Sequence, residues 1–504
     1  MKTQLLFIFL IVSTAAKAQY GTLDPTFGIG GKVITDIGGA DDKGASIAIQ
    51  SDGKLVIAGF GYNGSNNDVA VTRYQTDGSL DSTFGTNGKV TTAIGSYHDY
   101  GLSVAIQPDS KIVVGGYSHN GLNNDFALLR YMSNGNLDST FGTNGIVTTA
   151  IGSYGDNANS IALQADGKII AAGFSDTSTG DFFALARYNS NGSIDTTFGD
   201  AGRVITHIGL SDDQINSIKL QSDGKIIAGG YSYNGNDWDF ALVRYNTNGS
   251  PDTSFGTNGI VTTDIGSDDN MLYSIALQSD GKIVGAGWAG LQFAGARYNT
   301  DGSLDNSFGS AGIVIAIIGV NDEADAVAIQ TDGSIIFAGI SHNGTNYDFG
   351  LIRLQTDGSA DSTFGTGGKV VTDFGNDNDY CLSVAIQSDN KIVAVGFSGP
   401  NNGRDFALAR YTAGPVGILE INATDAMLVY PNPVSDNFSI QFKNNLVNGQ
   451  IKILNILGET VFENTITHQS EITIVVKNIP HGIYIVKVFD GEKTYCKKLI
   501  VEHY

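Results

Sequence analysis

Cysteine, proline and positive charge are all scarce in this chain of 504 residues. The two cysteines, Cys381 and Cys496, lie far apart and neither has a CxxC partner. That excludes a disulfide scaffold and a cysteine-built zinc or redox site, and both are expected as small buried hydrophobes. Only 8 prolines stand against 66 glycines, a mix that suits many tight turns and not a proline-rich linker. Lys and Arg total 29 against 51 Asp and Glu, and the imbalance lies before Val416. Nucleic-acid binding requires the opposite sign; an acidic excess keeps an exposed surface soluble. No stretch holds a 3.6-residue apolar period, and after the N-terminus no apolar run is long enough for a membrane helix. The mature protein is therefore expected to have no transmembrane segment.

Chemical motifs are also missing. There is no D-x-D-x-D-G calcium loop, P-loop or G-x-S-x-G elbow. His98, His119, His207 and His342 are scattered without metal-ligand spacing. No catalytic residue, metal site or cofactor is expected from motifs alone.

What is present begins with a leader. Met1-Lys2, the apolar stretch 5–16 and Ala16-Lys17-Ala18 before Gln19 read as a secretory signal peptide over 1–18, cleaved near Ala18.

Self-comparison then gives a long-period repeat. The hexapeptide Leu23-Asp24-Pro25-Thr26-Phe27-Gly28 returns six times, with phenylalanines at Phe27, Phe84, Phe141, Phe198, Phe255, Phe308 and Phe364, spaced 57, 57, 57, 57, 53 and 56. In phase with it recur Gln50-Ser51-Asp52-Gly53-Lys54 and Asp125-Phe126-Ala127-Leu128-Leu129-Arg130-Tyr131. Each unit reads as four strands, 88–94, 102–107, 111–117 and 125–131 in the second unit, with Asp-Gly hairpin signals. Seven four-stranded units of this length predict an all-β fold, a seven-bladed β-propeller. The first unit has a hexapeptide with no fourth strand before it, and the last has a fourth strand with no hexapeptide after it. Residues 20–28 are therefore expected beside 405–411, closing the ring. These motifs resemble the delta-60 repeat family of bacterial surface and secreted proteins, over residues 20–412. The resemblance implies a propeller-like fold and no activity.

After Tyr411 the pattern stops. The domain organisation reads as signal peptide 1–18, propeller 19–412, linker 413–427 and a C-terminal domain 428–504. The last holds Tyr430-Pro431-Asn432-Pro433, a strand-rich run at 451–459, another at 482–488, and Lys497-Lys498-Leu499-Ile500-Val501. It resembles the type A sorting domain of the type IX secretion system, a small immunoglobulin-like β-sandwich. The resemblance implies a Bacteroidetes-type source, handling of 428–504 by the type IX machinery, and a secreted or surface-attached product.

Among the repeats, an acid stands eight residues before each repeated glutamine: Asp42, Asp99, Asp156, Asp213, Asp322 and Asp379, with Asn270 in the fifth unit. A ring of them on one face suits a cation or polar ligand; the plainer reading is an aspartate capping its own turn. The hexapeptide aspartates and the seven arginines are expected as an architectural ion pair in each blade. Aromatics after the third strand are expected as inter-blade packing. The loop between the third and fourth strands varies most, and Trp238 is its conspicuous aromatic. These features suggest a non-catalytic binding or adhesion module for glycan or protein. An extracellular polysaccharide hydrolase or lyase, and a ligand-free surface structural protein, are the alternatives.

Overall fold

The computed structural model describes residues 20–266, 268–375, 377–412, 427–455, 460–489 and 494–502. The predicted signal peptide, its cleavage site and most of the linker lie outside these residues. The chain divides into two compact units, Met1–Gly414 and Pro415–Tyr504.

The first unit is a seven-bladed β-propeller. In its first blade Asp42–Ile49, Leu55–Tyr62, Asn67–Tyr74 and Lys89–Thr92 pair in that order, each antiparallel to the next. Strands equivalent to Asp42–Ile49 meet one another around the ring and are the innermost. The strands expected of each unit are offset by one from the blade: 88–94, expected to open the second unit, holds Lys89–Thr92, the outermost strand of the first blade. The hexapeptide explains the difference. It is a tight reversal that folds the chain back onto Asn67–Tyr74 (Arg73 N–H to Gly88 O, 2.9 Å), so the nearest partner in sequence is taken. Gly85 sits at φ 51° in this turn, and a Cβ there would lie 2.4 Å from the Lys89 carbonyl oxygen.

The reversal is also the joint between blades. Each hexapeptide phenylalanine is fully buried, with the blade's arginine over its ring, as in Arg130 over Phe141 at 4.5 Å. Arg130 Nε donates to Asp138 Oδ2 at 2.9 Å, and Nη1 reaches the Ser190 carbonyl of the next blade. Ion pair, ring and neighbouring turn form one latch, as expected of architecture.

Ring closure follows the same rule. Asp24 N–H bonds Arg410 O at 2.8 Å, Arg410 Nε donates to Asp24 Oδ2 at 3.0 Å, and Arg410 lies 4.5 Å from the Phe27 ring. The closure extends past 20–28: Lys32–Thr35 pairs with Asp405–Tyr411 as the outer strand of the seventh blade. That blade is thus built from both ends of the repeat region, and Asp405–Tyr411 is paired on both sides instead of being left as a long open edge.

Every innermost strand carries a β-bulge, between Gly101 and Ser103 in the second blade. Such a bulge re-aims one side chain. The bulge serines bind the next blade, as when Ser103 Oγ accepts from Ile161 N–H at 3.1 Å. Cys381 is fully buried, as expected; the side chain of Cys496 lies outside the described residues.

The second unit joins Met427–Tyr430, Asn437–Leu454, Thr460–Val475, Gly482–Phe489 and Thr494–Val501 into one five-stranded network. The Asn437–Leu454 strand changes register between Gln441 and Leu446. A bridge from Val434 to Val501 brings the two ends of the network together. Met427, Phe438, Ile440, Ile453, Val486 and Leu499 are among the core they enclose. No helix among the described residues is long and apolar enough to cross a membrane.

Candidate functional site

The predicted aspartate column opens the innermost strands. Asp42, Asp99, Asp156, Asp213, Asp322 and Asp379 are all at most 1% exposed. Each carboxylate accepts main-chain N–H groups from the preceding turn: Ile94 to Asp99 at 2.7 Å, Ile151 to Asp156 at 2.7 Å, Ile208 to Asp213 at 2.8 Å. Asn270, fully buried in the same place, instead donates to Asp268 O at 2.7 Å. These are the contacts of a turn cap. Burial pushes the Asp42 and Asp379 carboxyls up to about 6, against the amides of Ile37 and Phe374.

The loops between second and third strands of the corrected blade lie at the same end. Asn66 Nδ2 reaches Tyr97 O at 2.5 Å and Asn123 Nδ2 reaches Tyr154 O at 2.8 Å, tying each loop to the crossing into the next blade. Tyr97, Leu122, Tyr154, Leu210 and Val320 are exposed on this face. Trp238 is half-buried against Tyr233, with ring centroids 5.5 Å apart, and its buried Nε1 has no acceptor.

The sequence reading missed the position beside the aspartates. One residue after each stand Lys43, Tyr100, Asn157, Gln214, Met271, Glu323 and Tyr380, all half-buried. Cap, bulge and latch repeat around them, yet this column is different in nearly every blade. Its members lie between second-strand aromatics of adjacent blades. Tyr100 meets Phe60 at 4.6 Å and Tyr117 at 4.7 Å; Lys43 lies over Phe60 and Phe397 at 5.7 and 5.1 Å. The expected aromatic ring therefore does pack between blades, and this column is wedged into it. The bulge residues vary too: Ala45, Leu102, Asn159, Asn216, Tyr273, Asp325 and Leu382. Asn159 and Asn216 donate to inner-strand carbonyls of the next blade, at 2.9 and 2.8 Å.

The two columns meet chemically between blades five and six. The Tyr273 hydroxyl accepts from Trp288 Nε1 at 3.0 Å and hydrogen-bonds Glu323. Burial raises the pKa of both Glu323 and Asp325, and the Glu323 charge raises Asp325 further. Asp325 Oδ2 is buried without a hydrogen-bond partner. Burial and Glu323 also push the Tyr273 phenol up. A signal was there to read: a variable column directly beside one that is aspartate in six of seven units, visible once the repeats are stacked in phase.

A family model described as Domain of unknown function (DUF5122) beta-propeller matches seven segments: 50–84, 107–141, 164–198, 221–255, 278–308, 330–364 and 387–414. A second, the Secretion system C-terminal sorting domain, matches 428–502. The chain is a DUF5122 propeller carrying a type IX sorting domain. The sorting domain implies type IX handling and export to the medium or the cell surface. No curated protein matches the chain. Among solved structures, a catalytically inactive virginiamycin B lyase from Staphylococcus aureus with quinupristin is 13% identical, with 75% of this chain and 98% of that one covered, at a TM-score of 0.45. Polysaccharide lyase Uly1 is 12% identical over 73% and 90%, at 0.41. An endo-arabinanase from Bacillus licheniformis is 12% identical over 61% and 92%, at 0.29. Likenesses of this order carry no argument about activity.

Proposed function

We propose that this exported propeller is a non-catalytic binding or adhesion module, taking a glycan or a protein on the face where the innermost strands begin. One observation carries the reading: the column Lys43, Tyr100, Asn157, Gln214, Met271, Glu323, Tyr380 loses the repeat amid positions that keep it. Selection for folding alone favours the same residue in each blade, because each blade makes the same contacts. A ligand without sevenfold symmetry favours different ones. Exposed Tyr97 and Tyr154 and half-buried Trp238 extend the surface outward, and aromatic faces suit stacking on sugars or burial in a protein interface.

The test is a glycan-array and peptide-array screen of the mature chain, with Tyr100→Ala and Lys43→Ala as variants. Binding that both variants weaken by tenfold or more supports the site. Binding that neither alters puts the ligand elsewhere, and no binding on either array favours the ligand-free structural reading.

The pair Glu323 and Asp325 favours a second reading, a polysaccharide hydrolase or lyase. Two non-repeated acids with raised pKa values beside a tyrosine can hold and move a proton at neutral pH. Product release from acidic and neutral polysaccharides, abolished in Glu323→Gln, would establish it; the same release from Glu323→Gln would dismiss it.

A further inference from the structure

The structure assigns two calcium sites to this propeller, Asp348–Asp373–Asp379 and Asp36–Asp42–Asp405, which clamp the two flanks of the blade that closes the ring. In each set one carboxylate oxygen per residue lies within 4.8 Å of the others. Oxygens bound to one calcium ion at about 2.4 Å can be no further apart than about 4.8 Å, and each set meets that limit.

Proximity of acids alone would mean little. Here the buried members are unsatisfied. Asp348 is 2% exposed and Asp379 and Asp42 are at most 1%, yet Oδ1 of each has no hydrogen-bond partner. Their Oδ2 atoms are engaged, by Asn343 Nδ2 at 2.8 Å, Phe374 N–H at 2.7 Å and Ile37 N–H at 2.7 Å. Each carboxylate is therefore held by one oxygen and leaves the other bare in a buried place, as Asp68, Asp99, Asp125 and Asp239 also do outside the triads; what sets the two triads apart is that three acids converge there, where a bound cation would offset the cost of burial. None of the six carboxylates forms a salt bridge among the described residues. Lys32 and Lys89 approach, but their amino groups bond the main-chain oxygens of Asp373 and Asp36, at 2.9 and 2.5 Å.

The register adds a second argument. Thr372 faces Phe349 and Thr35 faces Phe406, so Asp373 stands across from Asp348 and Asp36 across from Asp405. Like charges directly opposite on paired strands are destabilising. In other blades the opposed positions hold Asp68 with Ala93, Asp125 with Ala150, Phe182 stacked on His207 at 3.6 Å, and Gln292 with Ile317. The fifth blade keeps Asn270 beside Asp239 and Asp264, a set with one charge fewer. Full triads occur at the junctions of blades six and seven and of blades seven and one, the two flanks of the blade assembled from both chain ends. An all-oxygen set of three carboxylates, without His or Cys, selects a hard cation, and flexible spacing across three separate elements suits calcium better than magnesium. An exported protein meets calcium outside the cell.

The exposed members make the test safe for folding. Asp36 and Asp373 each use one oxygen to accept a local turn amide, from Gly38 and Gly375 at 2.6 Å, which asparagine also accepts. The mature chain, stripped with EDTA, is titrated with calcium chloride by calorimetry and with terbium chloride by sensitised luminescence, and its melting is followed with and without 10 mM calcium. About two calcium ions per chain are expected, with a rise in Tm of roughly 2–3 °C. In Asp36→Asn/Asp373→Asn the bound calcium and the Tm rise are lost, while the calcium-free Tm is no lower than that of the wild type and rises as the opposed charges are relieved. Asp77→Asn, at a position where the next unit has Asn134, keeps both. Absence of calcium binding in the wild type, or full binding in the double variant, overturns the assignment.

Discussion

Removing the Phe27 ring is the sharpest probe of ring closure. Phe27 is fully buried, in one cluster with Ile47, Leu55, Phe406 and Leu408, and Arg410 lies 4.5 Å over its face. Phe141 is its structural twin, equally buried with Arg130 at the same distance, but sits between two blades that are continuous in sequence. Truncating a buried phenylalanine to alanine costs about 3–5 kcal/mol from lost transfer energy and the cavity left behind, and the stacked guanidinium accounts for about 0.5–2 kcal/mol of related attraction. If the N-terminal segment is as much part of the ring as any internal hexapeptide, Phe27→Ala and Phe141→Ala should cost the same within about 1 kcal/mol. The assay is guanidinium unfolding of the mature chain followed by tryptophan fluorescence. Both tryptophans, Trp238 and Trp288, lie in the propeller, so the tail does not contribute. A cost below about 1 kcal/mol at Phe27 beside a full cost at Phe141 would refute closure by this segment.

Three further outcomes are expected. Burial alone would raise Asp24, but the Thr26 hydroxyl and amide, Lys391 and Arg410 outweigh it and hold its carboxyl at about 2; Asp81 and Asp138 are held down in the same way. A depressed folded pKa contributes stability that is complete above the unfolded value near 4 and is lost as pH falls through the folded one, so the urea midpoint should drop between about pH 4 and pH 2, and a flat midpoint there would contradict the latch. Asp99→Ala should destabilise by about 1–3 kcal/mol, since it strands the amides of Ile94 and Gly95, and should leave array binding unchanged; a binding defect at full stability would make that aspartate a ligand contact. A chain ending at Gly414 should melt as the full propeller does but stay inside its native host, because the two units are separately compact and the sorting domain lies wholly in the second; surface display of the truncated chain would contradict the export role.

Blade number, closure and the Arg–Asp latch were legible because they are enforced seven times, and a repeated contact leaves a repeated residue. Strand phase was not. Residues 88–94 precede Asp99 as closely as they follow the hexapeptide, and only the direction of the Phe84-Gly85 reversal decides which sheet they join. The acid triads were illegible for a related reason. Asp348, Asp373 and Asp379 come from a third strand, the turn after an outer strand and the start of an inner one, too far apart in sequence to read as one calcium loop, and the second triad is split between the two ends of the repeat region. Glu323 and Asp325 carry no motif at all; they stand out only against Tyr100, Leu102 and the other residues stacked on them.

The closing blade poses a problem that the other six do not. In each of those the outer strand is one short reversal away from its partner, whereas Lys32–Thr35 must find Asp405–Tyr411 across nearly the whole ring. Loop-closure entropy grows only logarithmically, yet over that difference it amounts to about 3 kcal/mol. One extra latch would not offset this, because every blade has one. The closing joint remakes across the break what the other joints have: Gly365 N–H bonds Tyr20 O at 2.7 Å as Gly85 N–H bonds Asn134 O, and Gly21 N–H bonds Thr412 O at 3.1 Å as Gly78 N–H bonds Gln75 O; to these it adds a bridge between Tyr20 and Phe364 of the sixth blade. Those contacts tie the N-terminal segment to two blades at once. The paired acids on both flanks act against them until a divalent cation converts repulsion into cross-links, so calcium should matter most where the entropy of closure is greatest.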